Sequence, residues 1–400
     1  METEILVRGK DGLTLNGQGA LLKRTQYTPP ERRYPNANAV LRLVNFTKSV
    51  VTDLRIRATN TRPDLIYLGP NVGSYRQEVE FDHGLAIHGA VRTRISDVRI
   101  RSVWGDGIYV AGGDQHTSRW SRRVTLRDIF VRQNGRQGIA INRSRNVVVD
   151  RAFIEYSRRS AIVLEPDTRS ETISHVEVRN SSLGSNLLAI SSAGAGRANN
   201  VHVHDNIIRR SGLPWVYVRS TRGLAREGWV VSGNIVKHEL GSPMPALAFW
   251  NTDDIQITHN RMAIATKQSG LAVGLWDGSN DAVIRCNVFA GAKADFVSRP
   301  PGTVTDVGRN NIRSSERPCK PKPGSTLTGP VAALPDSKKP VLRIGSTGRA
   351  VLAVERRLGV EPSNDHFGPR TRAAVRHLQK WHGLPETGVV GPKTWSAMQS

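Results

Sequence analysis

Apolar and polar residues alternate in short runs through the first three quarters of the chain, and the runs recur. The stretch 201–212 reads VHVHDNIIRRSG, and closely similar phrases stand at 176–183, 230–236, 255–262 and 283–289. A period of two within each run predicts a β-strand with one buried face. Gly, Asn, Ser and Asp separate the runs, and no helical periodicity interrupts them. The pattern therefore predicts short strands joined by tight turns.

An Asp or Asn follows the first alternating run of nearly every repeat. From Asp128 onward the gaps between these positions are 23, 29, 26, 28, 26, 27 and 24 residues. A period of this length indicates a solenoid of stacked coils. Asn at such a bend can pair with the Asn of the next coil, so we expect a structural Asn ladder. The ten positions are Asp53, Asp97, Asp128, Arg151, Asn180, Asn206, Asn234, Asn260, Asn287 and Asn311.

A second strand follows each bend and supplies the buried columns of the predicted stack. About ten coils at about 4.8 Å each would make a rod roughly 45–50 Å long. One inward column is expected to hold Ile108, Ile139, Ile162, Leu188, Val216, Leu247 and Leu271. The next is expected to hold Val110, Ile141, Leu164, Ile190, Val218, Phe249 and Val273.

Over residues 1–312 these features resemble the right-handed parallel β-helix of pectate-lyase-like proteins. The resemblance implies an all-β domain of about ten coils that holds a polysaccharide along a lateral groove. Gly17 and Gly19 fit a turn of the first coil. No amphipathic cap helix is apparent, so capping by another segment, a partner chain or further residues stays open. Residues 60–82 break the period and are expected to form an inserted loop.

The periodicity stops at Arg313, and the Pro-rich residues 313–340 are typical of an extended linker. Helical spacing follows, with one helix after Gly348, a second between Pro369 and Gly383, and a short third one. The motifs LxxGSxGxAV, FGxxTxxAVxxLQ and GVVGxxTW resemble the peptidoglycan-binding domain at the ends of cell-wall hydrolases. The resemblance implies a three-helix wall-binding domain over residues 341–400 without catalysis of its own.

The resemblance also implies candidate contacts with peptidoglycan. Motif positions are held by Asp365, Phe367, Thr371, Gln379 and Trp395. We take Asp365, Gln379, Thr371 and Trp395 as the candidate peptidoglycan-binding residues. Trp395 and Phe367 also suit the core of the domain, so both roles stay open for these aromatic residues.

The charge balance narrows the choice of partner. Lys and Arg outnumber Asp and Glu by 57 to 34, giving a net charge of +23. Such a surface favours nucleic acid, an acidic polysaccharide or the bacterial wall, or it serves solubility. No nucleic-acid-binding motif accompanies the charge, so we expect no nucleic acid as a partner. No stretch reaches 18 apolar residues, and no signal peptide is apparent at the N-terminus.

Cysteine usage argues against a structural zinc site. Cys286 and Cys319 are the two cysteines, and no CxxC or Cys/His cluster exists. A disulfide and two reduced thiols are equally compatible with them. His202 and His204 fit a satisfied surface pair better than a metal site. We therefore expect no metal and no cofactor.

Candidate chemistry lies on the outward positions of the second strand. Glycan cleavage needs paired carboxylates, or carboxylates with a basic residue for β-elimination. One outward column is expected to hold Ala111, Asn142, Glu165, Ser191, Arg219 and Trp250, and its neighbour Tyr109, Val163, Tyr217 and Ala248. The candidate catalytic residues are Glu165, Asp167, Asp106, Asp114 and Arg219. The candidate glycan contacts are Tyr109, Tyr217, Trp250 and Trp276.

Structural roles compete with these assignments. A Gly-Asp-Gly bend commonly uses its Asp for a turn hydrogen bond, which applies to Asp106. The Glu165–Pro166–Asp167 segment equally fits a solvated turn. Two functions therefore stay open.

In the first, the chain binds a polysaccharide along a groove, anchored to peptidoglycan by its C-terminal domain; if an enzyme, it is a polysaccharide hydrolase or lyase. In the second, it is a non-catalytic phage tail, virion or surface protein that recognises wall glycan. Both place it outside the cell, at the wall or in a phage particle, and both leave a homo-oligomer open. A carboxylate pair across the groove would favour the enzyme.

Overall fold

The computed structural model divides the chain into two compact units, Met1–Lys320 and Pro321–Ser400. Asp114, Asn311 and Asp365 lie outside the described residues, as do the inserted segment 61–78 and most of the predicted linker. The structure describes residues 4–26, 38–60, 79–113, 117–185, 187–211, 214–219, 224–238, 244–264, 271–291, 294–299, 304–308, 340–358, 366–368, 371–372, 375–376, 378–379 and 384–399.

Eleven described strands form the first sheet of the larger unit, here called sheet A, and each pairs in parallel with the strand of the next coil. Eleven stacked strands are consistent with the predicted stack of about ten coils. The strands of sheet A are β1 (Ile5–Arg8), β3 (Asn38–Val44), β5 (Asp82–His88), β7 (Ile108–Ala111), β10 (Ile139–Ile141), β13 (Ser160–Leu164), β16 (Leu188–Ser192), β19 (Val216–Val218), β22 (Leu247–Trp250), β25 (Leu271–Trp276) and β28 (Ala294–Arg299).

Eighteen described strands form the second sheet, sheet B, as two parallel ladders that meet at β6. A bend with left-handed backbone separates the two ladders in each coil. The strands are β2 (Thr14–Lys23), β4 (Val50–Arg57), β6 (Val91–Arg101), β8 (Ser121–Arg127), β9 (Phe130–Asn134), β11 (Ser144–Asp150), β12 (Phe153–Ser157), β14 (Thr172–Arg179), β15 (Ser182–Ser185), β17 (Arg197–His204), β18 (Ile207–Arg210), β20 (Arg226–Ser232), β21 (Ile235–His238), β23 (Thr252–Thr258), β24 (Arg261–Ile264), β26 (Asn280–Arg285), β27 (Val288–Ala290) and β29 (Val304–Gly308).

The apolar core lies between the inner faces of the two sheets and runs through the stack. Ile108, Ile139 and Ile162 share one register row and are fully buried, which confirms the start of the predicted column. Farther along, Val216 and Leu247 keep this row, but the prediction was wrong by two residues in two coils, where Ile190 and Val273 stand in place of Leu188 and Leu271. A shift of two leaves the same side chains facing inward, so alternation alone cannot reveal it.

A ladder of buried amides runs through four coils. Asn206 Nδ2 donates to Asn234 Oδ1 at 3.0 Å, and the same contact joins Asn234 to Asn260 at 2.9 Å and Asn260 to Asn287 at 3.0 Å. All four side chains are buried. The left-handed backbone belongs to the residue before each Asn, whereas Asp53, Asp97, Asp128, Arg151 and Asn180 adopt it themselves. The nine aligned residues that the structure describes therefore occupy two neighbouring positions of the coil.

The smaller unit packs helices α1 (Arg349–Leu358) and α2 (Pro392–Gln399) around an apolar core of its own. These are the first and third predicted helices, and the middle one falls largely outside the described residues. An antiparallel bridge joins Leu342 to Val390 beside this core. Among the described residues, no helix has the length and apolar character needed to span a membrane. In the larger unit, Cys286 is disulfide-bonded, and Cys319 lies outside the described residues.

Candidate functional site

Outward side chains on sheet A form rows that run from coil to coil. One row holds Tyr109, Ala140, Val163, Ser191, Tyr217, Ala248 and Gly274. Ser191 was predicted in the row of Glu165, and this was wrong, because it pairs with Val163 and Tyr217. Small side chains in this row leave room above the strands for the longer side chains on either side.

A buried guanidinium joins three carboxylates at one part of this face. Arg136 Nη1 donates to Asp106 Oδ2 at 2.9 Å, and Nη2 donates to Glu165 Oε2 at 2.8 Å. Arg136 Nε lies 3.6 Å from Glu80 Oε2. Burial lowers the pKa of Arg136, but the negative charges of Asp106, Glu165 and Glu80 outweigh this effect. The pKa of Arg136 is therefore raised well above its ordinary value. Arg136 therefore stays charged and joins its own coil to three others.

Asp106 is fully buried beneath this guanidinium. Its Oδ1 accepts the backbone N–H of Gln137 at 2.9 Å, and its own N–H donates to His83 Nδ1 at 3.1 Å. Burial raises the pKa of Asp106 to about 6, although Arg136 and the Gln137 N–H pull it down. A side chain without exposed surface cannot touch a polymer on the sheet, so its geometry suits the positioning of Arg136. A catalytic role for Asp106 stays a prediction.

Tyr109 is held between two imidazole rings. The His83 ring stacks on it with centroids 4.7 Å apart, and the His88 ring meets it edge-on at 5.7 Å. His83 is fully buried, and this burial, together with Arg136, His88, Arg42 and Arg24, lowers its pKa well below the ordinary value. A neutral His83 ring thus fixes Tyr109, which stays partly exposed on the face.

Glu165 and Asp167 follow strand β13 and are the candidate acids that solvent reaches. The Glu165 side chain is 24% exposed, and Asp167 is exposed as a residue. Asp167 Oδ2 accepts Asn142 Nδ2 at 2.8 Å, and its backbone N–H donates to Glu171 Oε2 at 2.6 Å. Partial burial of its carboxyl raises the pKa of Asp167; the Asn142 hydrogen bond opposes this, and the charges of Glu165 and Glu171 add to it.

A second ion pair closes this end of the cluster. Arg143 Nε donates to Glu171 Oε1 at 2.6 Å, and this hydrogen bond helps raise the pKa of Arg143 against the effect of its burial. Register places Arg219 two coils beyond Glu165, where it is exposed, and a catalytic role for Arg219 stays a prediction. Glu165 itself bonds to Arg136. The structure therefore gathers Glu165, Asp167 and Asp106, while Asp114 lies outside the described residues.

Three aromatic side chains in contact form a platform farther along sheet A. Tyr217 and Trp250 have ring centroids 5.0 Å apart, and Trp250 stacks on Trp276 at 4.4 Å with 19° between the planes. The Trp276 ring lies over Gly274, where an added Cβ would stand 2.0 Å from Cη2. The platform begins two coils beyond Glu165, about 10 Å along the stack at 4.8 Å per coil. Of the candidate glycan contacts, Tyr217, Trp250 and Trp276 lie together and Tyr109 stands apart. Their contact with glycan stays a prediction.

Sequence reasoning missed the residues that hold the acids in place, chiefly Arg136, His83, Glu80, Glu171 and Arg143. Register offered one signal for Arg136. Ile108 pairs with Ile139, so Gln137 stacks above Asp106 and Arg136 is its neighbour. The alternation pattern cannot predict that a long arginine side chain crosses the sheet, because the pattern shows only which face a residue occupies.

His202 and His204 on sheet B form a smaller cluster away from this face. His204 Nδ1 lies 2.8 Å from Asp205 Oδ2, its Nε2 lies 2.9 Å from Glu177 Oε1, and the His202 ring stands 4.2 Å from its own. Burial lowers the pKa of both rings, but hydrogen bonds to Asp205 and Glu177 outweigh it and raise the pKa of His204. No metal-binding group of three His, Cys, Asp or Glu occurs in the described part of the chain.

Thr371, Gln379 and Trp395, the candidate peptidoglycan contacts that the structure describes, are buried. Gln379 Nε2 donates to the Val389 carbonyl at 2.8 Å, and its Oε1 accepts the Gly388 N–H at 2.8 Å. Thr371 Oγ1 donates to Glu355 at 2.7 Å, and Trp395 Nε1 donates to the Pro340 carbonyl at 2.8 Å. These side chains hold the unit together, and their contact with glycan stays a prediction.

Comparison with known proteins gives two family matches. Residues 83–237 match the family described as "Right handed beta helix region", and residues 356–398 match the one described as "Putative peptidoglycan binding domain". No curated protein matches the chain.

Two solved structures resemble the chain in fold. The A-module of the mannuronan C-5 epimerase AlgE6 of Azotobacter vinelandii is 13% identical, with a TM-score of 0.52 over 76% of this chain and 88% of that one. The hyperthermoactive exopolygalacturonase of Thermotoga maritima is 11% identical, with a TM-score of 0.51 over 78% of this chain and 84% of that one. At these identities the likeness shows the fold alone.

Proposed function

Because the chain joins a right-handed parallel β-helix to a C-terminal peptidoglycan-binding domain, we propose that it is a wall-targeted protein that binds a polysaccharide along sheet A. The observation that carries the proposal is the outer face of that sheet. Acids that solvent reaches lie at one part of this face, and three aromatic side chains in contact with one another lie farther along it. The C-terminal domain would hold this groove against its polymer at the wall.

The aromatic platform supplies the contact surface for sugar rings. An aromatic face is a large apolar surface with a rigid shape, and the half-buried rings of Trp250 and Trp276 keep part of that surface in solvent. From Glu165 to Trp276 the face extends over four coils, about 19 Å at 4.8 Å per coil. This length fits a short oligosaccharide segment of a longer chain.

The charge of the chain favours an anionic polymer. A net charge of +23 raises the local concentration of polyanions near the surface. The two structures of similar fold are a mannuronan epimerase and an exopolygalacturonase by name, so polysaccharide-acting proteins do use this architecture. The proposal for this chain nevertheless depends on its own groove.

Cleavage of the polysaccharide is the second candidate function, and the raised pKa of Asp167 favours it. A general acid needs a raised pKa and a neighbouring group of opposite role. Asp167 has the raised pKa, and Glu165, two residues away, provides a carboxylate held by Arg136. In this proposal Asp167 donates the proton to the leaving oxygen, and Glu165 acts as the base or nucleophile of a hydrolase or lyase. A non-catalytic phage or surface protein would keep the groove without this reaction.

Replacing Trp276 with alanine is expected to weaken polysaccharide binding about tenfold or more, because the outermost ring of the platform is lost. Affinity electrophoresis in gels cast with polygalacturonate, polymannuronate or polysaccharide released from purified bacterial walls would measure this. Phe153→Ala is the matched control, since Phe153 is a half-buried aromatic residue on sheet B stacked on Phe130 at 5.2 Å. Equal retardation of both variants and the unchanged chain in every gel would refute the groove.

If the chain cleaves its polymer, Glu165→Gln and Asp167→Asn should each lower turnover about 100-fold or more, the usual effect of losing an acid or base. Release of reducing ends and of unsaturated sugars would be followed against pH. Activity that requires protonated Asp167 should fall as pH rises through its raised pKa. Glu155→Gln, a surface carboxylate paired with Arg132 on sheet B, serves as the control. Unchanged turnover in Glu165→Gln would remove Glu165 from the reaction.

A further inference from the structure

We infer that the outer face of sheet B carries a second binding site, for a linear wall polymer with repeated phosphate or carboxylate groups. The site is a set of six basic residues in two adjacent rows of the first coils, here called the basic ladder. Its members are Lys23, Arg55, Arg57, Arg99, Arg101 and Arg132. It lies on a different sheet from the proposed groove and does not depend on it.

The rows place like charges directly above one another. Lys23 pairs in register with Arg57, Arg57 with Arg101, and Arg101 with Arg132. The adjacent row joins Arg55 to Arg99. Successive coils stand about 4.8 Å apart, which is well inside the screening length of about 8 Å at physiological ionic strength.

Like charges stacked in this way destabilise the folded state unless opposite charges offset their repulsion. Like charges directly opposite each other on a sheet repel, and an ordinary surface avoids four in succession. Glu155 follows Arg132 in the row and pairs with it at 3.2 Å, and the exposed Asp53 and Asp97 stand beside the ladder at the bend. These acids lie at the borders of the ladder, and its middle coils present basic residues in both rows. A bound polyanion would neutralise several of these charges at once.

Two members of the ladder are held in a fixed orientation. The Arg101 guanidinium lies over the Phe130 ring at 4.9 Å, and that of Arg132 lies over the Tyr156 ring at 5.2 Å. Stacking on a ring leaves the N–H groups at the guanidinium edge, where they fit phosphate or carboxylate oxygens. Lys23, Arg55 and Arg57 are exposed beside them.

The covered aromatic rings beside the ladder favour a wall polymer over nucleic acid. Recognition of single-stranded nucleic acid adds exposed aromatic faces on which bases stack. Two rings lie directly under ladder residues. Phe130 is only 7% exposed and is covered by Phe153 and Arg101, and the Tyr156 ring is covered by Arg132. The ladder therefore offers charge at a regular spacing without a surface for bases.

The test uses the full chain and two probes that contain no sugar ring, polyphosphate and poly-glutamate, so that the groove on sheet A plays no part. The triple variant Lys23→Gln, Arg55→Gln, Arg57→Gln is expected to weaken binding of either probe at least tenfold. Its plot of log affinity against log salt should also be flatter by about 2, near 0.7 for each charge removed. The probe that binds more tightly identifies phosphate or carboxylate as the preferred group.

The matched control is Arg8→Gln, Lys48→Gln, Arg261→Gln, which removes the same charge from three scattered exposed positions. It should stay within about threefold of the unchanged chain. Equal weakening in both triple variants would mean that net charge alone attracts the polymer and would overturn the ladder. If single-stranded DNA of the same charge bound more tightly than polyphosphate and poly-glutamate, and this binding was lost in the ladder variant, a wall polymer would be wrong as the ligand of the ladder. Urea unfolding would verify that the ladder variant remains folded.

Discussion

Replacing Arg136 with methionine is expected to lower the free energy of unfolding of the β-helix by about 3–5 kcal/mol, the usual effect of removing one partner from a buried ion pair. Methionine keeps much of the side-chain length but leaves Glu80, Asp106 and Glu165 without their shared cation. Asp106 bears the greatest cost because it has no exposed surface. Urea unfolding followed by far-ultraviolet circular dichroism would measure the change.

The matched control is Arg132→Met, which breaks the pair with Glu155 at 3.2 Å, where the two side chains are 38% and 32% exposed. Exposed pairs of this kind contribute about 0–1 kcal/mol. A loss of stability in Arg136→Met no larger than that of Arg132→Met would show that the carboxylates do not depend on the guanidinium. The double variant Arg136→Met, Asp106→Asn should recover part of the loss, since the amide carries no charge.

The pH dependence of stability gives a second readout of the same network. The pKa of Asp106 is about 6 in the folded chain, above the ordinary value of 3.8. The folded state therefore holds this proton more tightly than the unfolded state, and the stabilising contribution is lost as pH rises from about 4 through 6. Asp106→Asn should lack this component, so its stability should fall less than that of the unchanged chain between pH 4 and pH 7.

The sequence predicted the stack because each coil repeats the same division between buried and exposed positions. Val, Ile and Leu at alternate positions must face inward, and only stacking buries them all. The same alternation carries no information on register, since Leu188 and Ile190 both face inward and both are buried. Register depends on the length of the connections between strands, which vary from coil to coil.

The alternation pattern also predicted part of the candidate site, because it shows which residues face outward. Glu165 and Asp167 could be found because they follow an alternating strand on its outward side. The guanidinium that joins Glu165 to Asp106 comes from a turn, and its side chain crosses the sheet face to reach them. Such a contact depends on side-chain length and on small neighbours such as Ala140, and neither has a periodic signature.

Removing residues 321–400 is expected to reduce binding to purified bacterial sacculi at least tenfold, since these residues form a compact unit that includes the peptidoglycan-binding match. Pelleting of the protein with sacculi would measure this. A point variant separates loss of the domain from other effects of truncation. Trp395 is 1% exposed in the core of the unit, and Trp395→Ala should cost about 3–5 kcal/mol, enough to unfold a small domain.

Trp395→Ala should therefore lose sacculi binding as the truncated chain does, while the unfolding transition of the β-helix stays unchanged. The exposed Lys393 on the same helix provides the control, and Lys393→Ala should bind as the full chain does. Truncated protein that pellets as well as the full chain would contradict the anchor. Sacculi stripped of their anionic polymers would then distinguish the groove on sheet A from the basic ladder on sheet B. Binding to stripped sacculi requires contact with the glycan itself, whereas binding through the basic ladder requires the charge of the anionic polymer.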